Sequence, residues 1–342
     1  MNRRTDIPTD YTLPSPANVS ELHSRLKDSV ELRTTATARS TDSAEGHDHF
    51  AVLFSGGVDC TLLAFMLDQV LPPKYSIDLL NVAFENPRVI AGAKYENLKN
   101  KRNIVTTESP YDGCPDRKTG RSSYAELCRL CPKRNWRFVA INVSYNETLA
   151  EKSTVATLMY PHNTEMDLSI ALALYFAARG KGECNESGTP RPYSTRAKVL
   201  FSGLGADELF GGYTRHTKAF TYSGLEGLFK ELDLDFGRLA ERNLGRDDRI
   251  ISYWGREIRY PYLDESLSAW ALRLPIWEKC GFGSDTEIKS TSLDPGKLLL
   301  RLLAKDVGLI NASAEKKRAI QFGARTAKMS TGKSKGTDAI DS

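Results

Sequence analysis

The sequence predicts an α/β protein with a doubly wound parallel sheet, followed by a helical C-terminal part. Short apolar runs typical of buried parallel strands alternate with helical patterns between about residues 50 and 215. Two of these runs lead directly into glycine-rich turns that open a helix. From about residue 216 to residue 329 the pattern is mostly helical, so we expect residues 19–329 to form one domain.

Composition excludes several other classes of protein. The chain has 342 residues, of which 40% are hydrophobic and 26% charged, and it lacks the roughly 20 consecutive apolar residues of a membrane span. Its 47 basic and 43 acidic residues are too balanced to indicate binding to nucleic acid. The start of the chain has no apolar core, so we expect no secretory signal peptide and a cytoplasmic protein.

Six cysteines are spread irregularly along the chain. The closest are Cys114, Cys128 and Cys131, whose Cys-x-x-Cys pair could hold zinc only with a fourth ligand from elsewhere. Because no second pair and no histidine lie nearby, we favour free thiols.

The region before the first strand divides into three parts. Residues 1–18 are expected to be a flexible lead-in, and the polar run Ala36–His49 a linker or loop. Between them, Ser20 is placed to cap a helix. The helix is predicted from apolar residues at helical spacing: Val19, Leu22, Leu26 and Val30.

The central region contains four predicted strands and two clear helices. The strands are Phe50–Phe54, Ile77–Phe84, Arg137–Val143 and Lys198–Phe201, and the helices are Thr61–Leu71 and Met166–Arg179. Gly180 is placed to stop the second helix. The run Gly182–Ser194 suggests a surface insertion, Pro110–Arg121 is a polar stretch, and Ser330–Ser342 is expected to be a disordered tail.

The first glycine-rich turn, Ser55-Gly56-Gly57-Val58-Asp59-Cys60, joins a strand to a helix. Backbone N–H groups and the helix dipole favour an anion at such a turn. Ser55 can add a hydroxyl donor, and Asp59 can hold a divalent cation that bridges phosphates. The turn therefore predicts a phosphate site, although its glycines could serve turn geometry alone.

The same turn lacks the Gly-Lys-[Ser/Thr] ending of a Walker loop and is not a Gly-x-Gly-x-x-Gly loop. It resembles the PP-loop, Ser-Gly-Gly-x-Asp-Ser, of ATP pyrophosphatases that cleave ATP between the α and β phosphates. Cys60 stands where serine is usual, which removes a strong hydroxyl donor and is expected to weaken pyrophosphate binding.

The second turn, Ser202-Gly203-Leu204-Gly205-Ala206-Asp207-Glu208, is followed by Leu209-Phe210-Gly211-Gly212-Tyr213. Together with the first turn it closely resembles the asparagine synthetases. That resemblance implies a PP-loop ATP pyrophosphatase fold, with Asp59 and Asp207 holding Mg²⁺. It also implies a set of ATP-binding residues, of which Phe54 and Val82 could instead be core residues: Phe54, Ser55, Gly56, Gly57, Asp59, Cys60, Val82, Ser202 and Gly203.

Two later segments extend the resemblance. Gly255–Asp264 is similar to the family's Gly-x-Glu-x-Arg-x-Pro-[Phe/Tyr]-Leu-Asp segment, so Glu257, Arg259 and Asp264 either contact substrate or form a structural ion-pair network. Lys316–Gly323 is similar to the basic segment that supplies the family's active-site lysine. Catalytic roles are therefore expected for three residues: Lys317, Arg318 and Glu257.

The resemblance covers about Leu22 to Lys328. It is nearest to the asparagine synthetase domain-containing proteins, because three further segments look like theirs: Asn243–Arg249, Leu274–Lys279 and Gln321–Gly323.

Other departures from the family concern its chemistry. Leu204 stands where a glutamate is common, and a leucine can neither accept a proton nor pair with an amine. Ala319 stands where the usual catalytic lysine lies, which leaves Lys317 and Arg318 as displaced substitutes. Position 2 is Asn and only about twenty residues precede the first helix, so we expect that this chain by itself cannot hydrolyse glutamine through an N-terminal cysteine. It would use free ammonia, receive ammonia from a partner, or be a fragment of a longer protein.

The resemblance implies an ATP-dependent amide ligase that adenylates the side-chain carboxylate of aspartate and transfers ammonia to give asparagine. Its cofactors would be ATP and Mg²⁺, and a glutaminase domain or subunit could supply the ammonia. The main alternative is a non-catalytic ATP-binding or interaction protein that retains the fold. A PP-loop enzyme acting on tRNA or another acyl acceptor is a third, although the basic surface, or the paired cysteines near the loop, that it would need are not evident.

Overall fold

A seven-stranded sheet organises the fold in a computed structural model that describes residues 2–4, 6, 13–40, 49–92, 109–186, 188–283, 293–329 and 335–340. The strands are β1 (Phe50–Leu53), β2 (Ile77–Phe84), β3 (Trp136–Val143), β4 (Lys181–Glu186), β5 (Thr189–Ser194), β6 (Val199–Phe201) and β7 (Glu257–Arg259). Their order is β5-β4-β3-β2-β1-β6-β7. β1, β2, β3, β6 and β7 are parallel, whereas β4 and β5 form an antiparallel hairpin at one edge.

Helices flank this sheet. They are α1 (Pro16–Ser40), α2 (Val58–Val70), α3 (Pro115–Leu130), α4 (Tyr145–Leu158), α5 (Glu165–Arg179), α6 (Ala206–Phe210), α7 (Thr214–Gly237), α8 (Gly245–Ser252), α9 (Glu265–Arg273), α10 (Leu298–Asp306), α11 (Ile310–Ala314) and α12 (Ile320–Gly323). A π-helical turn, Ala240–Leu244, leads into α8. No helix among the described residues is long and apolar enough to cross a membrane.

Two core layers lie on opposite faces of the sheet. Phe50 and Val52 pack in the layer with α1, α2 and α10, whereas the intervening Ala51 packs in the layer with α4 and α5. Successive residues of a strand point to opposite faces, so helices on both faces bury the central strands β1 and β2 almost completely. The predicted doubly wound α/β fold is confirmed.

The predicted N-terminal helix is also present, but its bounds differ. Leu22, Leu26 and Val30 are fully buried, as the spacing predicts. The helix begins at Pro16, and Ser15 rather than Ser20 caps it, because Ser15 Oγ accepts a hydrogen bond from the N–H of Asn18 at 3.2 Å. At its other end the helix continues to Ser40, into the run predicted to be a linker, whose residues 41–48 lie outside the described part.

Residues near both termini form backbone hydrogen bonds with the rest of the domain. The N–H of Asn2, within the predicted flexible lead-in, donates to the carbonyl of Leu272 at 2.7 Å. Within the predicted disordered tail, residues 335–340 bond to the start of α5, where the N–H of Met166 donates to the carbonyl of Gly336 at 2.9 Å. Disorder is therefore the wrong description for these six residues, and those at 330–334 and 341–342 lie outside the described part.

Three more predictions are refined. The polar stretch Pro110–Arg121 contains the start of α3, with Pro115 at its first turn. Gly180 ends α5 in the left-handed conformation, with φ of 68°, as expected of a helix stop. The insertion Gly182–Ser194 forms most of the β4–β5 hairpin, which adds an exposed antiparallel edge to the parallel sheet.

Candidate functional site

The two glycine-rich turns lie side by side at one edge of the sheet. β1 and β6 are neighbouring parallel strands with Val52 opposite Phe201, so their carboxyl ends open at the same level. A Cβ built on Gly203 would lie 2.9 Å from the Cβ of Asp59. The Tyr262 hydroxyl, from the segment after β7, donates to the carbonyl of Asp59 at 3.0 Å. The turns therefore touch, as the predicted phosphate site requires.

The first turn is held in place by α3. Gly56 has φ of +82°, and a Cβ there would lie 2.5 Å from the backbone of Thr119 and Gly120. Ser123 Oγ donates to the carbonyl of Gly56 at 2.7 Å. Gly56 therefore contacts α3 by its backbone, which only glycine permits, and it is not among the residues that line the cavity described below.

Cys60 lies inside the first turn of α2. Its Sγ donates to the carbonyl of Gly57 at 3.3 Å and lies 3.6 Å from Ser55 Oγ. Burial raises the pKa of this thiol, so the group stays uncharged at neutral pH. Cys60 thus interacts with the loop itself, although it borders the cavity.

Asp59 and Asp207, the predicted metal ligands, are brought together by one lysine. Lys297 Nζ lies 2.9 Å from Asp59 Oδ1, 2.7 Å from Asp59 Oδ2 and 2.9 Å from Asp207 Oδ1. Lys317 Nζ contacts the other Asp207 oxygen, Oδ2. Burial would raise the pKa of Asp207, but the charges of Lys297 and Lys317 lower it well below its usual range. Asp207 is therefore ionised, and the two carboxylates share Lys297 as a cation.

The donor set fits Mg²⁺ bound together with phosphates. Asp207 Oδ1 is buried and, despite its distance to Lys297, makes no hydrogen bond with proper geometry in the described structure. An unsatisfied carboxylate oxygen beside Asp59 is suited to a hard cation. No cluster of three or more protein ligands for a metal occurs in the described ranges, so phosphate oxygens would have to complete the coordination.

A cavity of about 390 Å³ extends from the paired turns. Its apolar end is lined by Leu53, Leu80, Val82, Ile170, Leu174 and Ala177. Leu53 and Val82 pack in the same core layer, whereas Phe54 packs in the opposite layer, with its ring centroid 6.5 Å from that of Phe138. Phe54 also borders the cavity. Because side chains alternate along a strand, however, it is Leu53 that lies on the same face of the sheet as Val82.

Lys317 and Arg318, for which the sequence predicts catalytic roles, line the polar end. Lys317 Nζ lies 4.5 Å from the ring centroid of Tyr213, whose hydroxyl donates to Glu208 Oε1 at 2.6 Å. Arg318 Nη1 donates to Thr119 Oγ1 at 3.1 Å. The basic segment thus contacts the second turn directly and also contacts α3, which packs against the first turn.

Glu257 lies elsewhere. Its side chain is 62% exposed, does not line the cavity and pairs with Arg259 at 2.7 Å. Arg259 also bonds to the carbonyl of Arg33, and Arg33 pairs with Asp264 at 2.9 Å. The geometry matches the structural alternative, an ion-pair network that fastens α1 to β7.

Sequence reasoning did not identify Lys297, Arg246 or Asp116, which all line the cavity. Lys297 is only 3% exposed and has φ of 58°, but in the sequence it is a single lysine before an apolar run. Arg246 is buried between Asp167 and Asp247, at 2.9 Å and 2.8 Å. In the sequence, Arg246 is indicated only by its place in the segment Asn243–Arg249, which resembles that of the asparagine synthetase domain-containing proteins.

The fold, with its two glycine turns side by side, defines an α/β domain of the PP-loop class. The model of the asparagine synthase family matches residues 192–229 and 222–331. Asparagine synthetase domain-containing protein 1 of Gallus gallus is 39% identical over 336 residues, which cover 91% of this chain and 52% of that protein. The chain belongs to the asparagine synthetase family. Members of this PP-loop family use ATP.

Two further relatives show how far the likeness extends. Asparagine synthetase domain-containing protein YML096W of Saccharomyces cerevisiae is 37% identical over 356 residues, or 99% of this chain and 60% of that protein. Asparagine synthetase B [glutamine-hydrolyzing] of Escherichia coli is 34% identical over 87 residues, or 25% of this chain and 15% of that protein. The chain spans about half the length of the domain-containing relatives it matches.

Proposed function

We propose that this domain is an ATP-dependent amide ligase, with aspartate and ammonia as substrates and asparagine, AMP and pyrophosphate as products. The observation that supports it most directly is the shared cation of Asp59 and Asp207, two carboxylates from different turns that meet at one end of a cavity. The ammonia would be free or supplied by a glutaminase domain or subunit.

ATP is proposed to lie along the cavity, with its adenine against the apolar end and its phosphates over the two turns. The cavity volume lies within the usual range for ligand sites, about 300–1,000 Å³. The proposed contacts come from Leu53, Val82 and the two turns: Ser55, Gly57, Asp59, Cys60, Ser202 and Gly203. Phe54 and Gly56, which the sequence places in this set, would support the first turn from behind.

Asp59 and Asp207 are the residues proposed to hold Mg²⁺, which when bound would neutralise charge on the phosphates. Lys297 compensates the charge of the same two carboxylates. The lysine therefore holds the two turns together, because two neighbouring carboxylates without a cation would repel each other.

Two displacements make up the proposed reaction. A carboxylate oxygen of the substrate attacks the α-phosphorus, and the bond from that phosphorus to the pyrophosphate oxygen breaks. Lys317 and Arg318 stabilise the negative charge that develops on the α-phosphate. The amine nitrogen then attacks the acyl carbon, and the bond from that carbon to AMP breaks.

A non-catalytic ATP-binding protein is the second candidate, and specific side chains favour it. Leu204 and Ala319 both line the cavity, at positions where the family commonly has an acid and a lysine. The Cys60 thiol is bonded to its own loop and is a weak donor toward phosphate.

Pyrophosphate release with Mg-ATP, aspartate and ammonia tests the proposal, beside a separate measurement of ATP binding. A ligase releases pyrophosphate only when both ATP and the carboxylate are present. Binding of ATP without release above background would support the second candidate, and release with a different carboxylate would correct the substrate.

A further inference from the structure

Among the described residues, one carboxylate that lines the cavity has no hydrogen-bond or ion-pair partner. Eight acidic residues line the cavity, and seven of them bond to a basic or hydroxyl side chain, as Glu315 does to Arg318 at 2.7 Å. The eighth, Asp116, is 7% exposed, and its carboxylate accepts no hydrogen bond and makes no ion pair within the described part of the chain. Burying a carboxylate that has no hydrogen-bond or ion-pair partner destabilises the folded state, so the presence of Asp116 in the cavity calls for a chemical explanation.

Asp116 is fixed beside the first glycine turn. Asn81 Nδ2 donates to the carbonyls of both Phe54 and Asp116, each at 2.8 Å. A Cβ built on Gly323 would lie 2.0 Å from Asp116 Oδ1, so the backbone of α12 covers the carboxylate closely. Asp116 therefore lies between the end of β1 and the basic segment, where the α-phosphate of ATP is proposed to react.

We propose that Asp116 accepts the proton of the attacking amine, the role for which Leu204 is unsuited. This inference rests on the proposed ligase function. An ammonium ion has no lone pair to attack with, so it must first lose a proton. Asp116 takes that proton, the amine nitrogen forms the bond to the acyl carbon, and AMP leaves with the electron pair of the broken carbon–oxygen bond. The amide product then releases its excess proton to water.

The charges around Asp116 are suited to this role. Burial raises the pKa of Asp116 to about 7, while Arg318 and Lys317 oppose the rise and Glu315 adds to it. A base with a pKa near the working pH combines a large ionised fraction with useful basicity.

Asp116→Asn tests the inference, because it keeps the shape and removes the base. Three measurements are made on the full chain: ATP–pyrophosphate exchange, AMP formation with ammonium chloride, and AMP formation with hydroxylamine, which is already unprotonated at neutral pH. We expect exchange within about threefold of the wild type and an ammonia-dependent rate at least about 100-fold lower. The rate with hydroxylamine should change little.

Asp112→Asn is the matched control, since Asp112 lies one turn earlier, is 38% exposed and pairs with Arg121 outside the cavity. All three of its rates should equal those of the wild type. An equal loss of all three rates in Asp116→Asn, or a loss in none, overturns the inference while the ligase function stands. Wild-type protein that exchanges no pyrophosphate with any carboxylate overturns the ligase function, and this inference with it.

Discussion

Gly203 touches Asp59: a Cβ at position 203 would lie 2.9 Å from the Cβ of Asp59, just under the 3.0 Å below which Cβ atoms essentially never approach other atoms. The contact joins the turns after β1 and β6, whose separation in the sequence is more than 140 residues. Because both turns are proposed to contact the phosphates, their spacing sets the shape of that site.

Gly203→Ala should therefore weaken ATP binding. The added methyl group separates the turns, and overpacking of this kind costs about 1–3 kcal/mol, so we expect Kd for Mg-ATP to rise by roughly tenfold or more. Isothermal titration measures it. Gly237→Ala is the control, because a Cβ there meets nothing within 4 Å. Equal affinities of the two variants would show that the turns tolerate separation.

Lys297→Met should destabilise the protein and make it depend more on magnesium. The change leaves Asp59 without a cation and Asp207 with Lys317 alone. Breaking a buried ion pair costs about 3–5 kcal/mol, and we expect Mg-ATP to raise Tm more in the variant than in the wild type. Thermal unfolding with and without Mg-ATP measures both effects. Lys305→Met, an exposed change on α10, should alter neither.

Lys297 shows what the sequence could not supply. The sheet and the two turns were predictable, because strand patterns and glycine turns are local signals. The role of Lys297 arises from a contact with Asp59, 238 residues away, and a single lysine before Leu298 carries no local signal of it. Asp116 is similar, since the polar stretch that contains it does not reveal that Asn81 fixes it beside the first turn.

The positions of two other predicted site residues, Phe54 and Glu257, have local explanations. Phe54 borders the cavity beside Leu53, and only Leu53 packs in the same core layer as Val82, as alternation along a strand implies. Glu257 lies in a motif that the family shares, but the motif did not indicate whether the residue serves substrate or structure. Its ion pair with Arg259 on the same short strand favours structure.

Lys317→Ala should reduce pyrophosphate release more than Arg318→Ala does. Lys317 contacts Asp207 and lies over Tyr213, whereas Arg318 is 39% exposed and partly neutralised by Glu315. Removing a charge that acts on the transition state costs about 10²–10³-fold, which we expect for Lys317, with about tenfold for Arg318. Initial rates at saturating ATP measure the difference, and the reverse order would assign the α-phosphate to Arg318.

Lys279→Met should stabilise the protein at neutral pH. Lys279 is fully buried after the turn Ile276–Glu278, and within the described ranges its Nζ has no hydrogen-bond partner. Burial lowers its pKa to about 8, against about 10.4 in an unfolded chain. Between these values the unfolded state binds more protons, so the free energy of unfolding of the wild type rises with pH through that window.

The variant lacks this pH dependence. Its advantage should be on the order of 3 kcal/mol at pH 7, from about 1.4 kcal/mol per pKa unit, should shrink as the pH rises above about 8, and should be nearly absent above about pH 10.4. Urea unfolding at several pH values measures it. A constant difference across the range would mean that packing, rather than the buried charge, separates the two proteins.

Restoring the family's usual residues separates the ligase from the non-catalytic alternative. Leu204 and Ala319 line the same cavity, so Leu204→Glu combined with Ala319→Lys places an acid and a cation at the polar end without filling the apolar end. If Asp116 and Lys317 already supply the base and the cation, the added groups are redundant, and we expect asparagine formation from aspartate and ammonia to change by less than about threefold. If the wild type is a non-catalytic protein, the double variant should instead gain pyrophosphate release that the wild type lacks. Amino-acid analysis of asparagine beside a pyrophosphate assay measures both outcomes, and gain of activity only in the double variant would contradict the roles proposed for Asp116 and Lys317 together.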